Sequence, residues 1–115
     1  MKLLFLIPLM LMAHAEGTPF AEWMMSLKQP DNPVASCCGP TDQYYVDEYR
    51  EDPAVPGGFL AMLNGIEVKV PPKKVITLDT TINPTGRGVI FIERSWEGTR
   101  ETSPYVYCFV PGFRV

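Results

Sequence analysis

Apolar residues recur along this chain in two rhythms. Phe20, Trp23, Met24 and Leu27 fall at i, i+3, i+4 and i+7, the spacing of one helical face. Thr18-Pro19 just ahead supplies a capping hydroxyl and a proline at the first helical position, where the missing N–H costs nothing. A helix is therefore predicted to start there, and Pro30 and Pro33 prevent it from continuing. Packing against a sheet is the expected use of its face, although Trp23, Met24 and Met25 would also suit a ligand or copper surface.

Further along, the rhythm shortens to two. Ile66, Val68 and Val70 alternate with Glu67 and Lys69, giving one apolar and one wet face. Ahead of them, Asn64-Gly65 supplies the two positive φ angles of a type I′ turn, so Phe59 to Leu63 and Ile66 to Val70 are predicted to form a hairpin that Pro71-Pro72 ends. Gln43 to Tyr49, Val75 to Leu78, Val89 to Glu93 and Tyr105 to Val110 complete a set of about six short strands. Turn-rich pieces such as Asn83-Pro84-Thr85-Gly86 separate them, and the connections are too short for crossover helices. The predicted class is α+β, mainly β: an N-terminal helix followed by a small, mostly antiparallel sheet or an SH3-like barrel.

The first residues follow a third pattern. Lys2, the apolar run Leu3 to Met12 and then Ala13-His14-Ala15 have the order of a secretory signal peptide, so residues 1–15 are expected to be cleaved before Glu16. About ten apolar residues are too few to span a bilayer that needs roughly twenty. The expected product is a single exported domain, residues 16–115, periplasmic or extracellular, with no membrane span.

Composition then narrows the function. The formal net charge is −3, and loss of Lys2 moves it to −4 with signs mixed along the chain, which argues against nucleic acid as a partner. The only histidine is His14, in the segment expected to be removed. Serine and cysteine nucleophiles usually lean on an imidazole base, and most zinc and copper sites include one, so the commonest catalytic and metal constellations fall away. No cofactor is expected.

Three cysteines remain, Cys37, Cys38 and Cys108. In an oxidising compartment one bridge is expected, from Cys38 to Cys108 with Cys37 as the alternative partner, closing a loop of about 70 residues worth roughly 4 kcal/mol in the chain-entropy model. A vicinal Cys37-Cys38 bond would be strained. The leftover thiol has three readings: a buried inert group, an intermolecular disulfide that makes a homodimer, or a redox or soft-metal site using Cys37 or Cys38 with Met24 or Met25.

Trp23, Ser36-Cys37-Cys38, Asp42, the Val68 to Val70 strand ending in Pro71, and Cys108-Phe109-Val110-Pro111 together resemble a group of small exported bacterial proteins of uncharacterised function. In that group another cysteine commonly follows the acidic residue, where this chain has Gln43. The resemblance implies export and a similar fold, supplies no catalytic residue, and makes the odd thiol a pair member whose partner was lost.

Asp47, Glu48, Glu51 and Asp52 surround Tyr49 and Arg50, and paired carboxylates can bind Ca²⁺ or cleave glycosides. Adjacent strand residues point to opposite faces and the run does not follow a calcium loop, so a solvated edge is the expected reading. Lys69, Lys73 and Lys74 are read as protection against edge-to-edge aggregation. Ser95 to Glu101 is polar and is expected to be an exposed loop. There Trp96, with Arg94 and Arg100, is either a contact residue or a cap folded back on the sheet. The functional expectation is an exported, non-enzymatic module that binds another protein or an envelope component, with a thiol-based redox protein or soft-metal carrier as the alternative.

Overall fold

The computed structural model describes residues 20–39, 41–77 and 82–112. The described residues are mostly β, with three small antiparallel sheets and one short α-helix. Helix α1 spans Ala21–Ser26. Strands β1 (Lys28–Gln29) and β2 (Asn32–Ser36) pair with each other, β3 (Asp42–Tyr45) joins β7 (Val89–Glu97) and β8 (Arg100–Val110), and β4 (Glu48–Glu51) joins β5 (Phe59–Leu63) and β6 (Ile66–Val70). The expected helix start at Thr18-Pro19 and the expected signal segment 1–15 lie outside the described residues.

The β3-β7-β8 sheet is the middle of the molecule, because both of its faces are covered. Val89 and Phe91 pack with Met24, Leu27, Cys37 and Ile76 on one side, while Ile90 and Ile92 pack with Ala61, Val68 and Val70 on the other. A strand buried on both faces needs no alternation, which accounts for the unbroken Val89-Ile90-Phe91-Ile92 run. Tyr49, Phe59 and Phe109 meet on the second side with ring centroids 5.3 to 5.8 Å apart.

β3 and β4 are separate strands where the sequence suggested one from Gln43 to Tyr49. The chain changes sheets at Val46-Asp47: the Val46 N–H donates to Gly88 O in one layer and the Asp47 N–H to Met62 O in the other. Gly88 makes this corner possible, since a Cβ there would lie 2.8 Å from Val46 Cγ2.

The Asn64-Gly65 turn has the expected positive φ angles, 53° and 81°, with Leu63 opposite Ile66. The longest hairpin differs from expectation. Ser95 to Glu101 is not a loop: β7 runs on to Glu97, β8 begins at Arg100, and the turn between them has Gly98 at φ 63°. Two bulges make this pairing possible. Phe91 faces Cys108 and Ile92 faces Val106, leaving Tyr107 as an extra residue, and a second irregularity accommodates Pro104, which lacks an N–H for the ladder.

Three further expectations are corrected. Of the strand expected from Val75 to Leu78, the described residues 75–77 form none: Pro72–Lys74 forms a 3₁₀ turn and Val75 makes a single parallel bridge to Phe109. β1 and β2 lie where Pro30 and Pro33 suggested only a helix stop. The bridge joins Cys37, not Cys38, to Cys108. Its Cα atoms are 5.8 Å apart across a sequence separation of 71, and both residues are fully buried.

Candidate contact ribbon and its groove

β3 pairs with β7 only from Val89 to Ile92, and both covering layers end near the same level. Beyond it, Glu93–Glu97 and Arg100–Tyr105 form a two-stranded ribbon in which residues 93–100 are all exposed. Cross-strand pairs brace the ribbon. Arg94 forks onto Glu101, with Nη2 donating to Oε1 at 2.7 Å and Nε to Oε2. Arg100 Nη2 donates to Glu97 Oε1 at 2.7 Å, and the Tyr107 hydroxyl donates to Glu93 Oε1 at 2.8 Å.

Trp96 projects from this ribbon with 56% of its surface exposed, so it does not fold back as a cap. The Arg94 guanidinium lies 5.6 Å from its ring centre and limits the directions the indole can take. Glu101 holds the Arg94 guanidinium more firmly charged than usual, and Arg94 in turn holds Glu101 below the usual carboxylate range. The structure thus brings Trp96 and Arg94 together, while Arg100 is tied to Glu97 nearer the turn.

At the base of the ribbon a groove of about 150 Å³ opens between the β5–β6 hairpin and the middle sheet. Buried Val68 and Ile92 lie deepest, Tyr44, Leu63 and Pro104 line the sides, and Ile66 stands 40% exposed at the rim. Arg94 and Glu101 border it, so groove and ribbon share residues. Sequence reasoning missed the groove. Ile66 was readable as an apolar strand residue, but which sheet edge it would reach depends on tertiary packing. A wider cleft of about 490 Å³ lies between Ser26–Pro30 and Val75–Thr77, where the Gln29 side-chain amide donates to Ser36 O.

Cys38 is the free thiol and is half-buried. Its Sγ–H donates to Met24 O at 3.4 Å, and burial pushes its pKa up. Met24 is itself buried in the core, whereas Met25 is exposed. Among the described residues no group of three or more His, Cys, Asp or Glu side chains is arranged to hold a metal ion.

Lys74 is a correction of a different kind. It is not an exposed edge residue but is 4% exposed, with Nζ 2.8 Å from Asp31 Oδ2 and donating to the Tyr105 hydroxyl at 3.1 Å. Burial pulls its pKa down, but the bonds to Asp31 and Tyr105 outweigh that and raise it. In the acidic run around Tyr49, Asp47 Oδ2 accepts the Asn64 N–H and Asp52 Oδ1 accepts the Ala54 N–H, while Arg50 pairs with Glu67 on β6.

Comparison with known proteins finds no family model that matches the chain, no curated protein similar to it in sequence and no solved structure similar to it in fold.

Proposed function

We propose that this chain is an exported, non-enzymatic interaction module that binds another protein or an envelope component through the ribbon face containing Trp96, Arg94 and the groove beneath them. The observation that supports it most is the exposed Trp96 on a cross-braced ribbon. An indole costs about 1 kcal/mol or less to immobilise when its neighbours already restrict it, and tryptophan and arginine dominate interface energetics. Export rests on the pattern of residues 1–15, with which a buried disulfide and the lack of a membrane-crossing helix among the described residues are compatible.

The thiol-redox alternative needs a thiolate that is easily formed and reached, and Cys38 departs from both requirements. A disulfide-linked dimer through Cys38 would need its sulfur turned outward, away from Met24 O.

The test places a photo-crosslinking aromatic amino acid, which keeps a ring at the site, at position 96, and separately at Val34, which is 90% exposed on β2. The full chain is then irradiated in the cells that export it. A defined adduct from position 96, lost when Arg94→Ala is added and absent from position 34, is the expected result. Adducts that do not differ between the two positions would refute the assignment.

A further inference from the structure

The ribbon has an edge as well as a face. Below Ile92, β3 covers β7; above it, no strand among the described residues pairs with Glu93–Glu97 from that side. β3 cannot extend to cover it, because the preceding chain turns back: the Thr41 hydroxyl donates to Cys37 O, and Cys37 is fixed to Cys108. An open strand is a row of backbone donors and acceptors that natural proteins usually screen with proline or outward charges.

Here part of that screening is missing. Proline is absent from Glu93–Glu97, whereas β2 contains Pro33 and β8 contains Pro104. Each charged side chain of the segment is bonded to β8 instead: Glu93 to Tyr107, Arg94 to Glu101 and Glu97 to Arg100. These bonds draw Glu93 and Glu97 across the ribbon, while Arg94, which also meets the Tyr44 side chain of β3, stays at the groove end of the edge. A strand laid there would also continue the line of β3, whose Tyr44 lines the groove, so its side chains on that face would run from the groove towards Trp96.

We propose that the uncovered edge of β7, Glu93–Glu97, takes an extended polypeptide segment of another protein as an added antiparallel strand, with an apolar side chain entering the groove beside Arg94. This deepens the ribbon-face reading and rests on it. Backbone pairing supplies affinity, and alternate side chains supply selectivity. A second copy is the less suited occupant, since two-fold pairing centred on Ser95 sets Glu93 against Glu97 twice.

The probe is a displayed library of seven-residue peptides selected on the full exported chain, followed by amide hydrogen exchange with the selected peptides. Proline-free peptides with alternating apolar residues are expected to protect every second amide of Glu93–Glu97, and Trp96→Ala is expected to weaken them by about tenfold. Peptides that need Trp96 yet protect none of these amides would overturn strand addition and leave the ribbon-face reading standing. Protection that appears without peptide and grows with protein concentration would assign the edge to a second copy and overturn the proposed occupant. Selected peptides indifferent to both Trp96 and the β7 amides would overturn both.

Discussion

At the residue scale the informative side chains are those whose neighbours decide their chemistry. Lys74 is an ammonium almost out of water, held by Asp31 and Tyr105. Replacing Asp31 with Asn would leave that charge unpaired, a change that costs about 3 kcal/mol at the lower end of the range for broken buried pairs, since Asp31 is partly wet. The hydrogen bond from Lys74 lowers the Asp31 pKa below 3.8, so the pair contributes stability above that pH and loses it as pH falls further. Denaturant unfolding from pH 7 to 2 should accordingly show a steeper acid loss in the native chain than in Asp31→Asn. Cys38 runs the other way. Burial raises its pKa, so alkylation should stay slow through neutral pH and accelerate only above the ordinary thiol range near 9.0, and stability should fall as pH rises through the same window. A rate measured against pH with a small alkylating reagent checks this.

At the element scale the local signals worked where turn chemistry decides and failed where tertiary pairing does. Asn64-Gly65 was legible because few residue pairs accept two positive φ angles, and Gly65→Ala should cost about 1 kcal/mol by thermal unfolding while leaving the hairpin in place. The alternation of Ile66, Val68 and Val70 was equally plain. Ser95 to Glu101 misled because polarity reads as loop, yet its charges are cross-strand partners whose pairing appears only once β7 and β8 are aligned. The break at Val46-Asp47 was hidden for a similar reason: continuous β propensity cannot say that the chain changes sheets. Of the candidate site, Trp96, Arg94 and Arg100 were readable as an aromatic and basic group. The groove was not, being assembled from β3, β5, β6, β7 and β8. Since Trp96 packs into neither core cluster, Trp96→Ala should shift unfolding free energy by no more than about 0.5 kcal/mol while removing the binding that its ribbon is proposed to provide.

At the scale of the whole molecule, one central sheet is covered on both faces by elements far apart in sequence, and the Cys37–Cys108 bond ties the segment after β2 to β8. Closing so long a loop is worth about 4 kcal/mol in the chain-entropy model, and cavity formation at two fully buried sites adds to the loss. A Cys37→Ala, Cys108→Ala double variant should therefore lose most of its resistance to denaturant, whereas Cys38→Ala should stay close to the native chain. That contrast separates a sulfur that holds the scaffold from one left over. It also explains the ribbon: a firmly stapled base lets β7 and β8 extend past both covering layers without further support.

The Cys37–Cys108 bridge staples the scaffold, and the half-buried Cys38 is left outside it. Disulfide mapping of the purified protein by proteolysis and mass spectrometry, with thiols alkylated under native conditions beforehand, tests this division of roles. One intramolecular Cys37–Cys108 peptide pair is expected, with a Cys38 that is labelled only slowly unless the protein is unfolded. A Cys38–Cys108 pair, a Cys38 shared between two chains, or a Cys38 alkylated rapidly at neutral pH would contradict it and return the thiol to the centre of the function.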